Sequence, residues 1–222
     1  MTPLDGRRFW KALMENAAML VADAHVLLKT GSAGRARSLL VLAQEELGKA
    51  LWLYEAFADA WNSGDLAPRT VDQLLVDGRS HTRKFLEATV FGDNLRGFWG
   101  HYGVTEEPLE GESWDSMFTR RRAEAESAAR SANVQKQRGF YADRDDSGTI
   151  HSPSEVALDG ISEDLQKTAQ IIEMLLITDH SRMKFDAATD YDSTHEQQAK
   201  LMPMAHPELF ATQPDHATHA PE

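Results

Sequence analysis

The sequence predicts an all-α protein, an antiparallel bundle of long helices. Apolar residues recur at three-to-four-residue steps, the period of a helix buried along one face. No segment alternates apolar and polar residues as a half-buried strand does, and no internal repeat divides the chain. At 222 residues the chain can enclose a sizeable core, so one domain with an appendage is expected: a body over 1–186 and a tail over 187–222.

The first helix covers about residues 5–29. Trp10, Leu13, Ala17, Leu20, Ala24 and Leu27 form its apolar stripe, and Gly31 is a natural stop. Asn16 and Asp23 lie seven apart and share a face. They are candidates to meet Glu46 or Lys49 across a helix pair, or to edge toward solvent.

The second helix, Arg35 to Trp61, is the element the rest of the chain is built to cover. Leu39, Leu42, Ala50, Leu53 and Phe57 mark its stripe, with Glu46 in line between Leu42 and Ala50. Glu45 sits beside it and precedes Lys49 by four residues, the favourable order for a helical ion pair. A carboxylate on an apolar face is costly unless it is paired or hydrogen-bonded. Polar partners on neighbouring helices are therefore expected, as a structural latch or as a site.

After the turn SGDLAPR, a third helix is expected from Val71 to Phe91. Its stripe of Leu74, Gly78, His81, Phe85 and Ala88 puts His81 on the buried face, with Lys84 one turn later. Residues 92–118 change character: glycines and the aromatics Phe98, Trp99, Tyr102, Trp114 and Phe118 read as a long irregular excursion. A fourth helix follows over about 116–136, with Arg120, Arg121, Arg122 and Arg130 on what reads as a solvated face. The connector KQRGFYADRDDSGTIHSP carries Arg138 and Tyr141. Pro153 and Ser154 then open a last helix to about Lys184, with Leu158 on its stripe. Residues 187–222 hold four prolines and four histidines without a period, and are expected to be disordered.

Composition excludes several chemistries. Without cysteine there is no disulfide, thiolate metal site or cysteine nucleophile. The N-terminus lacks the pattern of a signal peptide, and no apolar run approaches a membrane span, so a cytoplasmic protein with no membrane partner is expected. The net charge of −12 is uneven: residues 1–150 carry 22 acidic and 19 basic side chains, residues 151–222 carry 13 and 4. That balance argues against a broad electrostatic grip on duplex nucleic acid. No histidine follows a glutamate by three residues, as a di-iron bundle would need, and the tail histidines lack ligand spacing. No metal and no cofactor is expected. Phosphate-cradling Gly-Lys-Ser/Thr loops and Gly-x-Ser-x-Gly elbows are absent as well.

Taken together, Asn16, Leu20, Asp23–Ala24, Arg35–Ala36, Leu39, Ala43, Glu45–Glu46–Leu47–Gly48–Lys49, His81-x-x-Lys84 and Arg138–Gly139–Phe140–Tyr141 resemble the AbiV abortive-infection family. That family is placed among the HEPN helical domains of bacterial antiphage systems. The resemblance spans about residues 10–185, and Ala-Gln-Glu-Glu-Leu-Gly-Lys is its most specific part. It implies a HEPN-type bundle, a role in blocking phage multiplication by inhibiting translation, a phage-encoded activator as partner, and a homodimer.

Many HEPN proteins are metal-independent endoribonucleases with an Arg-x(4–6)-His motif, in which the histidine moves protons at the ribose 2′-hydroxyl and the arginine steadies the phosphate. Arg96/His101 and Arg144/His151 fit that spacing, but about two matches are expected by chance from this many arginines and histidines. Of the two, Arg144/His151 is better placed, ahead of a helix N-terminus that attracts phosphate. The family-matched residues offer another centre: Glu45, Glu46, Lys49, His81 and Lys84 in one cluster, with Arg138 and Tyr141 at its rim. Such a cluster could act on RNA, or it could lock helix to helix in a non-enzymatic protein that binds a phage or ribosomal protein.

Overall fold

The computed structural model describes residues 1–95, 109–185 and 188–210, with backbone only for 93–95. Two long helices form the frame. The first, α1 (Pro3–Lys29), starts on a Thr2 cap whose hydroxyl accepts from the Asp5 amide, with Pro3 in the first turn where its missing N–H costs nothing. The second, α2 (Ala33–Ser63), follows the short turn 30–32, whose Gly31 takes φ 78°. So short a turn makes the pair antiparallel. Trp10, Met14, Ala17 and Val21 of α1 share one core with Leu40, Ala43, Leu47, Leu53 and Phe57 of α2.

The chain then runs back along α2. Arg69 donates to the Ala56 carbonyl at 2.8 Å, and a short helix α3 (Asp72–Asp77) follows. As a result α4 (His81–Leu95) begins beside Glu45 and runs the same way as α2, with Lys84 against Gly48 and Glu87 against Trp52. Helix α5 (Trp114–Phe140) opens on a Ser113 cap and runs against α2, bringing Lys136 beside Ser38 and Gly139 beside Gly34. Helix α6 (Ile161–Phe185) again follows α2, from Gln44 opposite Thr168 to Asn62 opposite Arg182. The all-α expectation holds, but the bundle does not simply alternate up and down: α1 and α5 oppose α2, and α4 and α6 follow it.

Glycine sets two of these crossings. A Cβ on Gly48 would lie 2.0 Å from the Lys84 carbonyl oxygen, and one on Gly139 would lie 2.1 Å from that of Gly34. Alanine would gain helix propensity at either position, by about 1 kcal/mol. The clash is with backbone and cannot be relieved by a rotamer. Gly48→Ala is therefore expected to push α4 off α2, costing about 1–3 kcal/mol. In a chain of this size that lowers the melting temperature by roughly 2–4 °C per kcal/mol. A thermal melt checks it, and an unchanged or higher midpoint would contradict it.

Several boundaries differ from the sequence reading. The expected third helix is two, because Ser80 starts a new one: its hydroxyl accepts from the Arg83 amide and its carbonyl from the Lys84 amide. The last helix begins at Ile161, not at Pro153. Residues Pro153–Glu155 are a single 3₁₀ turn closed by a Ser152–Glu155 capping box, and Gly160 at φ 73° precedes α6, leaving Leu158 exposed. A two-residue hairpin, β1 (Asp143–Arg144) with β2 (Ile150–His151), occupies the connector where no strand was expected. The glycine and aromatic excursion is shorter than 92–118, since α4 reaches Leu95 and α5 starts at Trp114. Its centre, 96–108, with Arg96 and His101, lies outside the described residues.

Within the tail expected to be disordered from residue 187, residues 188–210 pack on the bundle. The Ala188 amide donates to the Asn62 carbonyl at 2.7 Å, the Thr189 hydroxyl donates to the Trp61 carbonyl at 3.1 Å, and Asp192 meets Arg7 and Lys11. Helix α7 (His195–Ala205) then sets Leu201, Met204 and Ala205 into the core, and Gln166 and Gln170 of α6 donate to the Ala205 carbonyl. Residues 211–222 lie outside the described residues.

This strap closes over a buried charge knot. Asp179 is fully buried and faces two guanidinium groups, Arg182 at 2.8 Å and Arg7 at 2.8 Å. Both arginines lie over the Trp61 ring, and Arg7 also lies over Trp10. Burial, with the charge of Asp179 beside it, pushes the Tyr54 hydroxyl up to about 12.

Candidate functional site

The site grows from Glu45. Its side chain is 3% exposed, on the face of α2 where α4 and α5 converge. One carboxylate oxygen accepts from the Lys136 ammonium of α5 at 2.5 Å. The other lies 2.6 Å from His81 Nδ1 and 3.5 Å from the Lys84 ammonium, both of α4. Lys84 and Lys136 are themselves buried. Two ammonium groups against one carboxylate leave a net positive charge before His81 is counted. Taken out of water, such groups are tolerable only together, because each offsets the desolvation of the others.

Gly48 and Ser38 shape this junction. The first lets the α4 backbone approach α2 at Lys84. The second places its hydroxyl 2.9 Å from the Lys136 carbonyl and 3.0 Å from that of Gly34, which seats the last turns of α5. Gly34 and Gly139 allow that contact. The Arg-Gly-Phe-Tyr stretch thus carries a packing glycine, three residues beyond the lysine that reaches Glu45.

His81 differs from its expected position on a buried face. It begins α4, and its side chain is 52% exposed. An ionised carboxylate only accepts, so the 2.6 Å contact puts a proton on Nδ1. In the neutral ring Nε2 is then the lone-pair nitrogen, and it has no partner among the described residues. A buried carboxylate that orients an exposed imidazole is an acid–base arrangement.

The other sequence candidates divide around this centre. Glu46 and Lys49 pair with each other at 2.6 Å, both partly buried, so the Glu45–Lys49 pair expected from spacing does not form. Glu45 and Glu46 have exchanged their expected roles because α2 packs on more than one side. Leu39 and Leu42 are only half-buried, and Ala36, Leu40, Ala43 and Leu47 are the deeper positions. Asn16 and Asp23 are exposed on α1 and do not join the cluster. Arg138 and Tyr141 are exposed at the end of α5, and neither touches Glu45 or His81. Tyr141 instead meets Phe140 edge to face at 6.4 Å.

Arg144 and His151 do not converge. In the hairpin Arg144 pairs with Ile150 and His151 with Asp143, and side chains of paired residues share a face. Arg144 and His151 therefore point to opposite faces. Each is engaged by its own turn: Arg144 donates to the Gly148 carbonyl at 3.3 Å, and His151 Nε2 lies 3.0 Å from Asp145. The Ser147 hydroxyl, His151 and the Thr149 amide hold the Asp145 carboxyl well below its usual range. His151 leads into the 3₁₀ turn, so the helix N-terminus expected there is absent.

Lys136 is the member that sequence reasoning missed. It lies at the opening of the KQRGFY connector, and its spacing to Lys84 or Glu45 has no period to reveal it. Among the described residues no group of three or more His, Cys, Asp or Glu side chains is arranged to hold a metal ion. No described helix is long and apolar enough to cross a membrane.

The architecture and this junction define an all-helical bundle organised around a buried acid held by two lysines and a histidine. The AbiV model of the HEPN class matches residues 6–173, a span that contains Glu45, His81, Lys84 and Lys136, and the chain belongs to that family. Comparison with curated proteins and with solved structures gave no match.

Proposed function

We propose that this AbiV-family chain is an abortive-infection protein of phage defence that blocks phage multiplication by acting on RNA, with His81 as the proton-moving group. Membership of the AbiV family points to phage defence. One observation carries the rest: a half-exposed imidazole whose Nδ1 is held 2.6 Å from a buried carboxylate. In that arrangement Nε2 takes the proton of a ribose 2′-hydroxyl. The 2′-oxygen attacks the adjacent phosphorus, the bond from phosphorus to the 5′-oxygen breaks, and the leaving oxygen takes a proton from solvent. A 2′,3′-cyclic phosphate and a 5′-hydroxyl result. Glu45 steadies the imidazolium formed, and the net charge of the two lysines favours an approaching phosphate. Loss of RNA integrity stops translation. A phage-encoded activator and a homodimer that doubles the site belong to the same proposal.

A second reading rests on the burial of Lys84 and Lys136. On that reading the cluster is a latch, and the bundle binds a phage or ribosomal protein without chemistry. The two readings part at His81. His81→Ala is expected to reduce phage restriction by about 100-fold or more, the lower range of acid–base contributions. Its melting temperature should stay close to wild type, because Glu45 keeps both lysines. Restriction that survives His81→Ala, measured as plating efficiency, favours the latch. Lys84→Ala removes one of the two ammonium groups that offset the buried Glu45 carboxylate, leaving Lys136 and His81, and should lose thermal stability on either reading.

A further inference from the structure

We propose a transition-metal site formed by His180, Tyr191 and His195, independent of the Glu45 cluster. Three donor atoms from three separate elements converge there. His180 Nδ1, on α6, lies 2.8 Å from the Tyr191 hydroxyl of the strap. On the other side, that hydroxyl lies 3.1 Å from Nε2 of His195, the first residue of α7. The two imidazole rings are 5.2 Å apart between centroids. Neither ring has a carboxylate partner among the described contacts, unlike His81, His151 and His206, each of which faces one. The hydroxyl has one proton to share between two nitrogens, so one imidazole must turn its own N–H toward the oxygen.

A divalent ion would take the place of the two protons in these bonds: the phenol's is released, and the imidazole N–H that faces the oxygen moves to that ring's other nitrogen. Two imidazole nitrogens and a phenolate oxygen form a borderline ligand set, suited to Cu²⁺, Zn²⁺ or Ni²⁺ rather than to Mg²⁺ or Ca²⁺. The phenol releases one proton on binding, and solvent completes the shell on the exposed side, where Tyr191 is 45% exposed. Such an ion would join α6, the strap and the start of α7. Metal would then stabilise the C-terminal segment that follows the family-matched span of 6–173. His180 and His195 are fifteen apart in sequence, outside the usual pair spacings, and Tyr191 carries no sequence signal as a ligand.

The test is titration of the full-length chain, stripped with EDTA and dialysed, with Cu²⁺ and with Zn²⁺ by calorimetry and by melting temperature. One equivalent of metal is expected to bind saturably and raise the midpoint by mass action. With Cu²⁺ a phenolate-to-copper charge-transfer band should appear in the visible and be absent in Tyr191→Phe. His180→Ala, His195→Ala and Tyr191→Phe should each weaken binding by about 10-fold or more, whereas His25→Ala leaves it unchanged. Melts in EDTA show whether each variant is folded, and Tyr191→Phe keeps the ring and its packing. Absence of one-to-one binding by the wild type would overturn the site. So would an affinity that any one of the three folded variants leaves untouched.

Discussion

Glu45→Gln is expected to destabilise the chain by about 3–5 kcal/mol, the cost of leaving buried charge without its counter-ion. The side chain is 3% exposed and faces Lys136 at 2.5 Å and Lys84 at 3.5 Å, and among the described residues neither ammonium pairs with another carboxylate. At roughly 2–4 °C per kcal/mol, the melting temperature should fall by about 10 °C. Glutamine preserves the shape, so the loss reads charge rather than packing. The triple change Glu45→Leu, Lys84→Met and Lys136→Met should recover most of that stability, since apolar groups of similar volume commonly replace a buried ion cluster without loss. Restriction of phage should not recover with it. Thermal and urea melts of the single and triple variants check both parts. A single variant as stable as wild type would mean that the lysines reach solvent.

Asp179→Asn is expected to cost a similar amount, about 3–5 kcal/mol, at the other charge cluster. Asp179 is fully buried between Arg7 and Arg182. Removing its charge leaves Arg7 with Asp192, and Arg182 with the neutral Asn62 oxygen at 3.0 Å. Both guanidinium groups also rest on Trp61, so loss of the carboxylate should loosen the contact of α1 with α6 and, through Asp192, the strap over it. Limited proteolysis should then cut between α6 and α7 earlier than in wild type, and the melting midpoint should drop. By contrast Lys11→Ala removes a partly exposed partner of Asp192, and at most about 1 kcal/mol should be lost. Equal effects from Asp179→Asn and Lys11→Ala would show that the buried carboxylate does not organise this end of the fold.

The helices were legible where one face alone is buried. In α1, Trp10, Leu13, Ala17 and Ala24 of the expected stripe are core residues, Leu20 and Leu27 pack half-buried against them, and Gly31 takes the left-handed conformation just after the helix. Period reasoning failed where that condition fails. α2 packs on several sides, so the stripe through Leu42 and Ala50 pointed to Glu46, while Glu45 is the buried acid. Local hydrogen bonding decided the boundaries that were missed. The Ser80 cap restarts a helix inside an unbroken apolar pattern, and the Ser152–Glu155 capping box delays α6. In α7, eleven residues with Pro203 inside carry too little period to read, and it orders by docking on α1 and α6. The site was half-legible. Glu45, His81 and Lys84 were named from their family-matched stretches, but Lys136 meets them only through the crossing that Gly34 and Gly139 permit.

RNA cleavage in EDTA by the purified chain is the most direct test of the central claim, that Glu45-oriented His81 moves protons on RNA. Total RNA would be incubated with wild type and with His81→Ala, each with and without extract of phage-infected cells as a source of activator. Cleavage by wild type, leaving 2′,3′-cyclic phosphate ends, and its loss in a His81→Ala protein that melts near the wild-type temperature are expected. Equal cleavage by the folded His81→Ala protein, or none by wild type in either condition, would contradict the claim and leave the cluster as a latch.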